Sequence, residues 1–213
     1  MSFTDPAAVA TYARDAARKV PGLADLHSMV ALLLAETAPP NARVLVVGAG
    51  GGMEIAALAG AHPGWTFEGV DPSPAMLAHA GTATAPFAER VTLVEGTVDI
   101  APEGPYDAAT CLLVLHFLTR DARLATLRAI RRRLRPGAGL VIAHHAPPAG
   151  PWLARSAAFA GSEPAQAQAS ARTMAERLPL LTPQAEEALL HEAGFAQADL
   201  FWAALSFRGW IAR

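Results

Sequence analysis

The sequence predicts an α/β protein whose sheet is doubly wound, mostly parallel and seven-stranded. Between residues 43 and 143, short runs of branched apolar residues alternate with segments of helical periodicity, which is typical of parallel strands joined by crossover helices. A cluster of glycines directly follows the first apolar run. The last two apolar runs, 199–205 and 207–212, leave no room for a helix between them. We therefore expect a C-terminal antiparallel strand pair, whose final strand is a candidate for insertion into the sheet.

Composition narrows the class of protein. The 213 residues suit one domain with modest additions. Although 52% of the residues are hydrophobic, charges, prolines or glycine clusters interrupt every long apolar stretch, so no membrane association is predicted. The chain has one cysteine, Cys111, and no apolar signal segment at its start, so we expect no disulfide and a cytoplasmic location. The formal net charge of −2 predicts no general attraction to nucleic acid.

The chain is expected to divide near residue 40. Two helices are predicted at residues 5–18 and 23–36, separated by Pro21 and Gly22. We expect residues 1–40 to form N-terminal helices that cover a ligand site. Residues 41–213 then form the main domain.

Strands and helices alternate through the main domain. The predicted strands are residues 44–47, 65–70, 90–95, 106–115 and 139–143, followed by the C-terminal pair. The predicted helices are residues 53–60, 74–81, 121–134 and 183–194. Ser73 and Thr182 are predicted N-caps because a proline follows each of them. Residues 146–181 are rich in Ala, Pro and Gln, and we interpret them as a lid insertion with a helix near 163–178.

The glycine cluster predicts where a ligand binds. Gly48, Gly50, Gly51 and Gly52 follow the first strand, and glycine allows both positive φ angles and close approach of the backbone to a ligand. Asp71 directly follows the second strand, about where nucleotide-binding βαβ units place an acid on the ribose hydroxyls. The predicted site therefore lies at the carboxyl ends of the first two strands.

These residues resemble the class I S-adenosylmethionine-dependent methyltransferases. The loop reads Gly48-x-Gly50-x-Gly52, and Met53 stands where dinucleotide-binding proteins need a small residue. The resemblance continues through FEGVDPSPAML, VTLVEGTVDI, YDAATCLLVLHFL and LRAIRRRLRPGAGLVIAH. It implies the Rossmann-like methyltransferase fold, S-adenosyl-L-methionine as cofactor, and methyl transfer to a small-molecule acceptor.

The resemblance also implies which residues bind the cofactor. Asp71 is expected to hold the ribose hydroxyls. The other expected contacts are Gly48, Ala49, Gly50 and Gly52 at the methionine portion, Pro72, Met76, Thr97 and Val98 around the adenine, and Leu112 near the sulfonium. The sequence departs from the family at Val46, where many relatives carry an acid that helps to hold the amino acid end of the cofactor.

A closer resemblance is to the carboxy-S-adenosylmethionine synthase family, which modifies the cofactor itself for a tRNA wobble modification. It is carried by KVPGLADLHSMVALLLAE, ARTM and LLHEAGFAQADLFWAALSF. The resemblance places Arg172 where that family grips the extra carboxylate, so Arg172 is a candidate substrate-binding residue. Leu23 stands in place of an aromatic residue of that family, and Leu112 in place of a polar amide. These differences favour an ordinary methyltransferase.

Three histidines are candidates for a general base if the acceptor is a hydroxyl or an amine. His116 follows the fourth strand, and His144 and His145 end the fifth. Successive side chains of a strand point to opposite faces, so at most one of the adjacent pair is expected to face the site, and His144 is favoured. No metal site is predicted, because no carboxylate or cysteine stands near these histidines at ligand spacing.

Several alternatives remain open from the sequence. One is a carboxy-S-adenosylmethionine synthase-like enzyme, with tRNA as an open partner. Another is a cofactor-binding module without turnover, and a third is an NAD-dependent oxidoreductase, which Met53 disfavours. Arg131, Arg132, Arg133 and Arg135 raise the question of RNA binding, but a solvated outer helix face is the favoured interpretation. A homodimer is also open.

Overall fold

The computed structural model describes residues 6–213, with side chains described for Thr11 and from Arg14 onward. The predicted start of the first helix at residue 5 lies outside the described residues. The strands are β1 Arg43–Val47, β2 Thr66–Asp71, β3 Val91–Glu95, β4 Tyr106–Leu112, β5 Leu134–His145, β6 Ala198–Ala204 and β7 Phe207–Ala212. The helices are α1 Pro6–Lys19, α2 Leu23–Ala35, α3 Met53–Ala61, α4 Pro74–Ala83, α5 Arg120–Arg133, α6 Trp152–Phe159, α7 Pro164–Arg177 and α8 Pro183–Glu192.

The seven strands form one sheet in the order β3-β2-β1-β4-β5-β7-β6. The first five strands are parallel, and β7 runs antiparallel between β5 and β6. The predicted α/β fold with its C-terminal antiparallel pair is confirmed, and the final strand is inserted into the sheet. Burial explains this order, because the last four residues of β7 are buried whereas β6 has several exposed positions and lies at the edge.

Helices cover both faces of the sheet. In β1, Val44 and Val46 pack with the apolar residues of α2 and α3, whereas Leu45 and Val47 face the core formed with α5 and α8. This alternation follows from the two-residue period of a strand. Since both faces are buried, β1 is apolar at every position from Val44 to Val47.

The boundaries of several elements differ from the prediction for local reasons. The fourth strand ends at Leu112 instead of residue 115, because Leu113 has φ 60° and turns the chain out of the sheet. The helix expected to end at Gly81 continues to Ala83. The helix α6 was not predicted, although the helix expected near 163–178 is present as α7. The two predicted caps are confirmed, since Ser73 and Thr182 accept from the amides of Met76 and Ala185.

A buried ionic cluster joins α5, α8 and β5. The guanidinium of Arg123 is fully buried and pairs with the carboxylate of Glu186, and it also donates to the carbonyl of Pro179 at 2.9 Å. His144 Nε2 lies 2.9 Å from Glu186 Oε1. Because a buried charge is tolerated only with a close partner, this cluster sets how α8 packs on α5 and the sheet.

The basic end of α5 is largely occupied by contacts within the chain. Arg133 is buried and donates to the carbonyls of Asp99 and Ala101, so the solvated-face interpretation is wrong for this residue. Arg131 lies over the ring of Phe195. Arg132 is exposed.

Glu186→Ala is expected to reduce the free energy of unfolding by about 3–5 kcal/mol, because it leaves the Arg123 charge buried without its partner. Chemical denaturation measures the loss. The matched control is Glu192→Ala, which removes a partly exposed carboxylate that pairs with Arg120 and Arg128 and is expected to cost under about 1 kcal/mol. Equal losses in the two variants would contradict a structural role for the buried pair.

Stability is expected to fall as the pH drops below about 6.5. Burial and the nearby Arg123 charge hold the pKa of His144 well below its usual range, so below 6.5 the unfolded chain binds a proton there that the folded chain does not. His144→Gln should therefore make the decline shallower by about 1.4 kcal/mol per pH unit. Denaturation curves between pH 7 and 5 measure it, and an unchanged slope would contradict the assignment.

Candidate functional site

Four neighbouring strands end at the same edge of the sheet. The order β3-β2-β1-β4 brings together the residues that follow each strand: Thr97, Asp71, the loop 48–52 and Leu112. The chain leaves β1 toward β2 on one side and reaches β4 on the other, so this is a topological switch point, where open α/β sheets bind ligands. The structure thus brings most of the predicted site residues to one edge.

The loop 48–52 needs glycine for reasons of both conformation and space. Gly48, Gly50 and Gly52 have φ angles of 77°, 51° and 77°, which other residues rarely adopt. A Cβ on Gly48 would lie 2.1 Å from Val114 Cγ2, and one on Gly52 would lie 2.7 Å from Ala80 Cα. The loop therefore packs tightly, and the amides of Gly48, Ala49, Gly50 and Gly52 all donate within the chain. The amide donors suited to an anionic group at this edge are then those of Gly51 and the N-terminus of α3.

Asp71 ties the end of β2 to this loop. Its carboxylate is 9% exposed, and the amides of Gly50 and Ser73 each donate to one of its oxygens at 2.9 Å. Each carboxylate oxygen has a further lone pair, so the same side chain can also accept from the hydroxyls of a ligand.

A crevice lies between this loop, the start of α2 and the end of β4. It is lined by Leu23, His27, Gly48, Ala49, Gly50, Gly51, Gly52, Met53, Glu54, Leu112 and Leu113. His27, Glu54 and Leu113 were not predicted as site residues. His27 lies on the buried face of α2, and that helical face was the available signal for it.

Glu54, in the first turn of α3, is a buried carboxylate at the wall of the crevice. Glu54 is 7% exposed, and its Oε1 has no hydrogen-bond partner among the described residues. Burial raises its pKa to about 7, and the nearby Thr110 hydroxyl acts in the opposite direction. Across the crevice, burial lowers the pKa of His27 to about 4, so this histidine is neutral at pH 7.

The end of β4 forms the apolar wall of the crevice. Leu112 is buried, and Leu113 holds a left-handed conformation with φ 60° while its amide donates to the Ala143 carbonyl at 2.6 Å. Such a conformation in a branched residue is unfavourable by about 1–3 kcal/mol and is typical of functional sites.

The remaining predicted cofactor residues, like Asp71, are not among the residues that line the crevice. Met76 and Val98 are buried, whereas Pro72 and Thr97 are exposed at the edge. Arg172 is exposed on α7 and is not among the residues that line the crevice. Its role as a substrate-binding residue stays a prediction.

His144 and His145 point to opposite faces of β5. His144 shares the face of Leu140 and Ile142, is fully buried, and contacts Glu186. His145 is half-buried on the face of Ala143, whose register partner is Leu112 in the crevice wall. The sequence favours His144 as the base, but His145 is the one on the sheet face of Leu112. None of His116, His144 and His145 is among the residues that line the crevice.

His145 is oriented by two serines. Its Nδ1 lies 2.8 Å from the Ser206 hydroxyl, which lies 2.6 Å from the Ser156 hydroxyl of α6. The ring stacks on Phe207 with centroids 3.8 Å apart. Burial lowers the pKa of His145 to about 4, so the ring is neutral at pH 7 and can accept a proton.

His116 lies beside this pair in a one-turn helix after β4. His116 is 5% exposed, and its ring centroid is 5.2 Å from that of His145. Burial and the neighbouring charges of His145, His144 and Arg123 hold its pKa well below the usual range. His116 is therefore also neutral at pH 7.

Neither a metal site nor a membrane-spanning helix is found in the part of the chain that the structure describes. Over residues 6–213, no group of three or more His, Cys, Asp or Glu side chains has the arrangement of a metal site. Within the same range, no helix has both the length and the apolar character needed to span a bilayer.

Comparison with known proteins gives consistent matches. Residues 45–140 match the family of methyltransferase domains. The carboxy-S-adenosyl-L-methionine synthase of Chromohalobacter salexigens is 28% identical over 211 residues, covering 92% of this chain and 77% of the relative.

Solved structures share the fold at low sequence identity. A proposed O-methyltransferase of Nostoc punctiforme has a TM-score of 0.72 at 20% identity, over 97% of this chain and 59% of its own. PigF, solved with SAH, has a TM-score of 0.71 at 19% identity, over 99% and 60%. The chain thus spans about three fifths of the length of these two proteins. Residues 45–140 thus resemble a methyltransferase domain, and the chain has the fold of these solved structures.

Proposed function

We propose that the protein transfers a methyl group from S-adenosyl-L-methionine to a small-molecule acceptor. The observation that carries the proposal is that Thr97, Asp71, the glycine loop and Leu112 stand in a row at the ends of β3, β2, β1 and β4. Of these, the loop and Leu112 also line the crevice. These residues offer contacts for an adenine, a ribose, a methionyl chain and a methyl group in that order. The acceptor class is inferred from the apolar, largely uncharged wall of Leu23, Leu112 and Leu113.

Each part of the cofactor has proposed partners in this row. Asp71 accepts from the ribose hydroxyls with the lone pairs that its two backbone donors leave free. Gly48, Ala49, Gly50 and Gly52 lie along the methionyl chain. Pro72, Met76, Thr97 and Val98 surround the adenine, and Leu112 lies next to the sulfonium.

The chemistry requires alignment more than activation. S-adenosylmethionine supplies an already activated methyl group on a sulfonium. The protein holds the acceptor in line with that group and excludes water, and proximity of this kind supplies up to about 7–11 kcal/mol of the barrier. Leu112 and Leu113 provide apolar walls, and the strained backbone of Leu113 is held by the Ala143 carbonyl.

His145 is the proposed general base for a hydroxyl or amine acceptor. It shares the crevice face of the sheet with Leu112, it is neutral at pH 7, and Ser206 holds its Nδ1. A base oriented by a third group is typical of catalytic arrangements. His116 is the alternative because it adjoins His145. His144 is occupied by Glu186 on the opposite face.

The second candidate function is that of a carboxy-S-adenosyl-L-methionine synthase. The 28% identity to such an enzyme over 92% of this chain supports it, and tRNA modification would then be the wider process. The apolar side chains of Leu23 and Leu112 in the crevice offer no hydrogen bond to an added carboxylate, and Arg172 does not line it. Methyl transfer is therefore preferred. Mass spectrometry of ligand released from purified protein tests this, since a cofactor heavier by one carboxyl group would reverse the preference.

Asp71→Asn is expected to weaken binding of S-adenosylhomocysteine by about 10- to 100-fold, since a hydrogen bond to a charged group contributes about 1.5–3 kcal/mol. Titration calorimetry measures the dissociation constant. Asn keeps an oxygen for only one of the two backbone amides that Asp71 holds, so the melting temperature of the variant is measured alongside to separate loss of the loop from loss of the ligand contact. The control Asp121→Asn changes an almost fully exposed carboxylate and should leave affinity unchanged. Wild-type protein that binds no S-adenosylhomocysteine would refute the proposed function.

His145→Asn is expected to lower kcat about 10²- to 10⁴-fold with a hydroxyl acceptor, the usual contribution of a general base, while cofactor affinity stays constant. Ser206→Ala should give a smaller decrease because it removes the group that orients the ring. Product formation across a panel of phenols, alcohols and amines measures this. Equal activity of His145→Asn and wild type would transfer the role to His116 or to no base, and cofactor binding without any product would favour a binding module.

A further inference from the structure

The carboxylate of Glu54 is unusual because it is buried and, among the described residues, has only the Thr110 hydroxyl as a hydrogen-bonding neighbour. It belongs to the first turn of α3, directly after the glycine loop, and it forms part of the crevice wall. The residue is 7% exposed, and Oε1 has no hydrogen-bond partner among residues 6–213. By contrast, both oxygens of Asp71 accept backbone amides. An ionised carboxylate is strongly unfavourable in a buried site without a paired cation, so Glu54 ionises fully at pH 7 only when a cation reaches it.

The described surroundings of Glu54 contain no cation that pairs with it. Thr110 and Cys111 approach from β4 and are neutral. His27, on the facing helix α2, is neutral at pH 7 because burial lowers its pKa to about 4. The buried guanidinium of Arg123 is paired with Glu186. A cation that pairs with Glu54 would therefore come from outside the chain, through the crevice.

The methionyl end of the cofactor carries two charged groups, a carboxylate and an α-ammonium. Its carboxylate suits the N-terminus of α3. Its α-ammonium needs an acceptor, and the fully buried Val46 of β1 provides none. Glu54 lies one residue beyond the loop and provides one.

We infer, on the basis of the proposed function, that Glu54 binds the α-ammonium group of S-adenosylmethionine. Glu54 supplies from α3 the acceptor for the α-ammonium that β1, with Val46, does not supply. Selectivity follows from this assignment, because ligands with an intact amino acid end satisfy the carboxylate and ligands without it leave the carboxylate unpaired. Glu54 is therefore a specificity-determining residue for the cofactor.

The assignment also predicts how affinity depends on pH. In the free protein the pKa of Glu54 is about 7, and a bound ammonium lowers it, so binding releases a proton below pH 7. Affinity for S-adenosylhomocysteine should rise about tenfold per unit as the pH approaches 7 from below, and then level off. Of the other groups that face Glu54, His27 titrates near pH 4, Cys111 is held as the thiol by burial, and Thr110 does not titrate.

The decisive experiment compares two ligands that differ at the amino acid end. S-adenosylhomocysteine has that end, 5′-deoxy-5′-methylthioadenosine lacks it, and both have an uncharged sulfur. Glu54→Gln should weaken binding of the first ligand about 10- to 100-fold, as expected for loss of a charged hydrogen bond, and change binding of the second less than twofold. The control Glu89→Gln changes an exposed carboxylate and should alter neither.

The outcomes separate this inference from the proposed function. If wild type binds neither ligand, the proposed function fails. If wild type binds S-adenosylhomocysteine and Glu54→Gln binds it equally well, or loses both ligands to the same degree, the inference is overturned. The melting temperature of the free variant should equal or exceed that of wild type, because a buried charge is removed. Calorimetry of wild type at pH 6.5 in two buffers of different ionisation enthalpy gives an independent readout, and absence of proton release there overturns the inference.

Discussion

The hydrogen bond from the Gly50 amide to the Asp71 carboxylate is the contact on which the geometry of the site depends. It joins the loop after β1 to the end of β2 at 2.9 Å, and the Ser73 amide holds the other carboxylate oxygen at the start of α4. The positive φ angles of the loop make this approach possible, and Val114 and Ala80 pack against it so closely that a side chain on Gly48 or Gly52 does not fit. A ligand at this edge therefore meets a preformed backbone.

Buried charges in this protein fall into two kinds. Arg123 and Glu186 neutralise one another, and with His144 they join α5, α8 and β5. Glu54 is equally inaccessible but has an oxygen without a partner at the wall of the crevice. Since desolvation disfavours both carboxylates, the difference lies in what neutralises them, which is the chain itself for Glu186 and a bound ligand for Glu54. The first arrangement stabilises the fold, and the second sacrifices stability for binding.

A chain of hydroxyl contacts connects α6 to His145. The hydroxyls of Ser156 and Ser206 connect α6 to the turn between β6 and β7, and through that turn to His145. The segment between β5 and α8 is thereby attached to the residue proposed as the base. Movement of α6 would therefore change the orientation of the His145 ring.

The order of the strands and of the helices other than α6, the glycine loop, the caps at Ser73 and Thr182, and Asp71 at the end of β2 were predictable from the sequence, because each depends on local pattern and on the conformations that individual residues allow. The sequence determined these features by itself. The face presented by His144 and His145, the pairing of Arg123 with a carboxylate 63 residues away, and the isolation of Glu54 were decided only in the tertiary structure. Burial and electrostatic partners arise between segments far apart in the chain, and no local pattern records which segment will lie opposite.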